Sequence, residues 1–184
     1  DEDGQLIDRG TVEGAAAIMA LLEDDWNFPV VDGDMDPNDP LVNTASEYMF
    51  QMATISYHVL NGTQTVTLTE ADLTGEDGTV ATEYTCNGET VPVPDPFPEE
   101  GVTCEFEVGG RYWTGFDRTD PVQRIARDMA WSGTAHALVA ELGVGAATHS
   151  TLQLALGVAA LLAGLGVVCT VSGVVFIWDT KKKM

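Results

Sequence analysis

The sequence predicts an α+β exported domain, built from three amphipathic helices and a small antiparallel β insert, followed by a single C-terminal transmembrane helix. Three observations carry that expectation. No charged residue occurs between Leu154 and Trp178. Upstream of that run, apolar residues recur at helical period in three stretches, and between the second and third the period changes to two. The charge is also divided: residues 1–150 hold 28 Asp and Glu against five Arg, a formal −23, whereas the only lysines stand together at Lys181, Lys182 and Lys183.

The first segment, 1–39, reads as a helix and an acidic loop. The helix runs from about Val12 to Asp24, with Thr11 as its N-cap and Glu13 in its first turn. In the loop, Asp32, Asp34, Asp36 and Asn38 alternate as oxygen ligands do in the first half of a calcium loop. They resemble an EF-hand only in part, because its sixth position is Pro37 rather than Gly and its twelfth is Asn43 rather than Glu. A bound Ca2+ is one reading of these four residues, and a solvated lead-in to the next helix is the other.

Segment 40–142 reads as a helical stalk carrying a β insert at about 63–117. Its first helix spans about Pro40 to Leu60, capped by Asp39, with Pro40 at the first helical position. Leu41, Ala45, Tyr48, Met49, Met52, Ile55 and Val59 form its apolar stripe. Asn61-Gly62 stops it, and Asn61-Gly62-Thr63 is also an N-glycosylation acceptor in an exported chain. Short strands follow at Thr65–Thr69, Val80–Thr85, Thr90–Val93, Val102–Val108 and Arg111–Phe116. Gly109-Gly110 suggests a hairpin between the last two, and Pro92, Pro94, Pro96 and Pro98 an extended loop. Cys86 and Cys104 fall in this region and suit a disulfide outside the cytosol, worth ~3 kcal/mol through the unfolded chain.

The third helix is expected from about Pro121 to Leu142, again opened by Asp-Pro. A flexible link over 143–153 then leads to the span at 154–178 and a basic cytoplasmic tail at 179–184. If the second and third helices pack antiparallel, the β insert lies at the end remote from the bilayer. An apolar run longer than ~20 residues suffices to cross a bilayer. Within it Ala155, Ala159, Ala163, Gly166, Thr170 and Gly173 share one side of the helix, a small-residue face that lets another helix approach closely in lipid. Trp178 and the three lysines suit an interfacial anchor, and lysines beyond a span favour the cytoplasmic side. The N-terminal domain is then outside or lumenal. A chain exported in this way without a leader suggests a mature form beginning at Asp1.

Near-absence of lysine, with abundant carboxylates, resembles the proteins of extreme halophiles, archaea among them, in which molar salt screens self-repulsion. So acidic a domain would be repelled by nucleic acid, which is excluded as a partner. His58, His136 and His149 lack zinc spacing, and no nucleophile elbow, phosphate loop or dinucleotide fingerprint is present. The expectation is therefore not an enzyme but a membrane-anchored surface or virion structural protein. Its partners would be membrane lipid and either further copies in a homo-oligomer or a larger integral complex. Two alternatives stand beside it: an accessory subunit of a respiratory or photosynthetic membrane complex, and a calcium-binding exported module.

Overall fold

A computed structural model describes residues 11–36, 38–39 and 41–183. Pro37 and Pro40, the latter expected at the first position of the second helix, lie outside the described residues, as do residues 1–10 and Met184. The described residues form an α+β arrangement of four α-helices and two small antiparallel two-stranded sheets.

Helix α1, Val12–Ala20, starts as expected, with the Thr11 hydroxyl accepting from the Gly14 amide at 2.9 Å. It continues as a π-helical turn, Leu21–Asp25, that buries Leu21 and Leu22. Helix α2, Ala45–Leu60, begins five residues later than the Asp39-Pro40 reading. The reason is a capping box: the Thr44 side chain accepts from the Glu47 amide, while the Glu47 carboxylate accepts from the Thr44 amide. Asp39 instead closes a local turn by accepting from the Leu41 amide.

Strands β1, Thr63–Leu68, and β4, Val102–Glu107, pair antiparallel with Val66 opposite Cys104 and Leu68 opposite Val102. Alternation puts Val66, Leu68, Val102, Cys104 and Phe106 on one face, all buried, with threonines and glutamates on the other. Helix α3, Pro121–Ala130, covers the apolar face with Val122 and Ala126. Strands β2, Glu83–Cys86, and β3, Glu89–Pro92, form a hairpin whose turn is Asn87-Gly88, both at positive φ. An Asn-Gly pair suits this tight turn because both central residues must be left-handed.

Arg111–Phe116 is not a strand, and Gly109-Gly110 is not its hairpin turn. The Val108 amide donates to the Gly62 carbonyl and the Gly110 amide to the Leu60 carbonyl, tying the end of β4 to the end of α2. The chain then makes a single 3-10 turn, Trp113–Gly115.

The expected third helix is divided, and the expected link is helical. Helix α3 ends at Ala130, and α4 runs without interruption from Gly133 to Lys183. Between them Trp131 is buried, its indole N–H donating to the Arg111 carbonyl at 3.1 Å. Ser132 then restarts the helix, its hydroxyl accepting from the Ala135 amide. Over 143–153, Gly143 and Gly145 each cost about 1 kcal/mol of helix propensity relative to Ala, but packing against α2 offsets this. The hydroxyls of Thr148, Ser150 and Thr151 turn inward onto carbonyls one turn earlier and leave the backbone helical. Helix α2 packs antiparallel on this part of α4. Its first residue lies at His149, and its last lies beside the turn that holds Trp131.

Candidate functional site

The apolar stretch of α4 is the most distinctive surface. It reaches mean hydropathy 2.4 with none of that stretch buried, so α4 is long and apolar enough to cross a membrane. At 1.5 Å per residue its 51 residues extend ~76 Å, more than twice a hydrocarbon core of ~30 Å. The surplus is the part seated against α2. Ala155, Ala159, Ala163, Gly166, Thr170 and Gly173 are all exposed. The Thr170 hydroxyl is satisfied by the Gly166 carbonyl at 2.8 Å, so this side presents no unpaired donor.

Taking ~100° per residue, that side lies roughly a quarter-turn round from the side on which α2 rests. The α2 contact uses Gly145, Ala146 and His149. A Cβ on Gly145 would stand 2.6 Å from the Tyr48 ring, so glycine is what allows the approach. Ala146 is buried beside it. His149 Nδ1 accepts from the Ala45 amide at 3.0 Å, satisfying one of the donors that α2 leaves open at its start.

Beyond the apolar stretch, the last turn is itself helical. Lys182 places its ammonium 3.8 Å from the Trp178 ring centre, and Lys183 pairs with Asp179 at 2.6 Å, each one turn apart. Lys181 shares that turn. The structure thus brings Trp178 and the basic residues together, as a helix end rather than a separate tail.

The acidic loop behaves differently from a ligand set. Asp34 accepts from the Ser46 hydroxyl, and its backbone carbonyl accepts from the Thr44 hydroxyl, docking the loop on the start of α2. Asp36 accepts from the Asn38 amide and side chain in a local turn. Asp32 belongs to a short 3-10 turn. Among the described residues, no three of His, Cys, Asp or Glu converge to hold a metal ion.

Cys86 and Cys104 are disulfide-bonded, joining the β2–β3 hairpin to β4. Asn87 strengthens the same junction: its side-chain amide donates to the Glu105 carbonyl at 2.7 Å and accepts from the Glu107 amide at 2.9 Å. It takes the place of a strand along that edge. Asn61 is exposed at the end of α2, its amide donating to the Tyr57 carbonyl at 2.9 Å.

Three groupings are additional to those read from the sequence. His149 acts across 104 residues and no local motif announces it. The Thr44–Glu47 box was legible as Thr-x-x-Glu. At the α3–α4 junction, the Arg127 guanidinium lies 4.2 Å from the Trp113 ring centre, His136 meets the same ring edge-on, and Tyr112 stacks on Trp131. Local hydrogen bonds depress four carboxyls. The Asn43 amide, aided by Thr44, holds Glu47 below its ordinary range. Asp72 is held down first by the Thr69 hydroxyl and then by Arg124, 3.1 Å away. Asp77 and Asp117 are lowered by Thr79 and Thr119.

Comparison of the chain with protein-family models, with curated proteins and with solved structures finds no match.

Proposed function

We propose that this chain is a non-enzymatic, membrane-anchored surface or virion structural protein of a halophile, assembling with further copies through α4 and the domain packed on it. Residues 1–150 stand outside the membrane, and the basic end of α4 lies on the cytoplasmic side. The observation that supports this most is a single helix continuous from its seat in the folded domain, through a wholly exposed apolar stretch, to Trp178 and the lysines. The Cys86–Cys104 bond fits a domain in an oxidising compartment. Lysine placement fits the proposed orientation. The small-residue side of α4 is free of α2, so a neighbouring helix can lie there without displacing the domain's own packing.

The test is the size of the detergent-solubilised chain, measured by light scattering in molar salt. A defined homo-oligomer is expected, and Ala159→Leu with Ala163→Leu should shift it towards monomer. A chain that is monomeric at every concentration, or an assembly indifferent to both substitutions, overturns self-association through the span. Protease added outside intact cells or particles should remove the acidic domain and spare the lysine end. The reverse pattern overturns the orientation.

A further inference from the structure

We infer that Asn61 carries an N-linked oligosaccharide whose first sugar lies in the groove between Asn61 and Tyr112. This rests on the export reading, since the transfer takes place outside the cytosol.

Five asparagines occur in the chain, at 27, 38, 43, 61 and 87, and only Asn61 is followed by x-Thr. It sits where an acceptor is reachable. Helix α2 has just ended, the backbone is outside the helical region at φ −101° and ψ 6°, and both Asn61 and Thr63 are exposed. One N–H of the side-chain amide is held by the Tyr57 carbonyl, and a primary amide has a second to give up. The secondary amide formed by glycosylation still has an N–H for that carbonyl, so the helix stop and the modification are compatible.

A groove of about 360 Å³ adjoins Asn61, walled by the end of α1, Tyr57, Tyr112 and the carboxylates of Asp24 and Asp25. Tyr112 is 42% exposed, and its hydroxyl accepts from the Trp26 indole at 2.8 Å, which fixes the ring. A sugar presents C–H groups on one face and hydroxyl donors around its rim. A fixed aromatic ring beside two carboxylates matches both. The antiparallel packing of α2 on α4 sets this groove at the end of the domain remote from the apolar stretch.

The co-reactant is an oligosaccharide linked to a polyprenyl phosphate. A bond forms between Asn61 Nδ2 and the anomeric carbon. The bond from that carbon to the phosphate oxygen breaks, and the lipid phosphate departs with the electron pair. One amide proton passes to a base of the transferring enzyme, and nothing is oxidised or reduced.

Peptide mapping by mass spectrometry, without reduction, of the full chain from its native membrane tests this. The Asn61 peptide should carry a sugar-containing mass that is lost in Asn61→Gln and Thr63→Ala and kept in Thr63→Ser. Nitration of Tyr112 should be several-fold slower in the glycosylated chain than in Asn61→Gln. Unmodified Asn61 in a chain whose Cys86–Cys104 bond is intact overturns the inference and leaves export standing. Unmodified Asn61 together with free thiols at both cysteines overturns the inference and the export reading with it. A glycosylated chain nitrated at the same rate overturns the seating against Tyr112.

Discussion

At the scale of single residues, the carboxylates that cap the start of α2 and the turn after β1 act electrostatically and therefore depend on pH. Glu47 takes amide hydrogen bonds at the start of the helix, and Asp72 takes those of Thr69 and pairs with Arg124. Both carboxyls are depressed in the folded state. Their contribution is therefore complete above the unfolded-state values, close to pH 4, and is lost as pH falls through the lower folded-state values. Thermal melts at descending pH should show stability declining below about pH 4, and Glu47→Gln with Asp72→Asn should flatten that decline. Thr44→Ala removes the other half of the box and should cost about 1 kcal/mol in denaturant unfolding. Removing the Cys86–Cys104 bond closes no new contact but frees a loop with a sequence separation of 18. Substituting both by Ala should lower stability by ~3 kcal/mol, read from chemical melts.

At the scale of elements, the seat of α2 on α4 depends on one glycine. Gly145→Ala drives a methyl group into the Tyr48 ring, and overpacking of this kind costs ~1–3 kcal/mol. Combining it with Tyr48→Ala should recover part of the loss relative to the sum of the two single changes, a non-additivity visible in a double-mutant cycle. The same contact explains what could be read beforehand. Helix α1 and its Thr11 cap, the two-residue alternation of β4 and the apolar run of α4 are local patterns, and each appears near its expected place. The start of α2 was legible too, in Thr44-x-x-Glu47, but Asp39-Pro40 resembles an opening just as strongly. Which one prevails depends on Ser46 and Thr44 being occupied by Asp34. The helical link could not be read locally. Gly143-Val-Gly145 has the composition of a flexible segment, and only the Tyr48 ring against Gly145 and the His149 bond to Ala45 make it helix. Likewise Gly109-Gly110 and Asn87-Gly88 are equally good turn signals by composition. Only the bonds to Leu60 and Gly62 decide that the first of them ends a strand without starting another.

At the scale of the whole molecule, charge dominates. With a formal net charge of −21 on the chain and −23 on residues 1–150, the folded domain is strained by self-repulsion that dissolved salt relieves. The described ion pairs are few, and Arg124–Asp72 is one of only three. Neutralisation inside the chain therefore does little. The melting temperature of the solubilised protein should rise between about 0.2 and 3 M KCl, as the screening length shortens from several ångströms to ~3 Å or less. A melting temperature that falls or stays level over that range would remove the halophilic reading. The small-residue side of the span and the α2 seat lie on one rod, α4, and the groove beside Asn61 belongs to the domain that α2 fixes to it. A change at any of them is therefore placed at a defined azimuth relative to the others.

That shared rod makes the chain a crankshaft. Adding one alanine between Thr151 and Leu154 would turn the folded domain by about 100° relative to the apolar stretch of α4, while four would nearly restore the phase. An array whose heads touch in register should come apart with the single insertion and re-form with the fourfold one. A hinged tether would be indifferent to both.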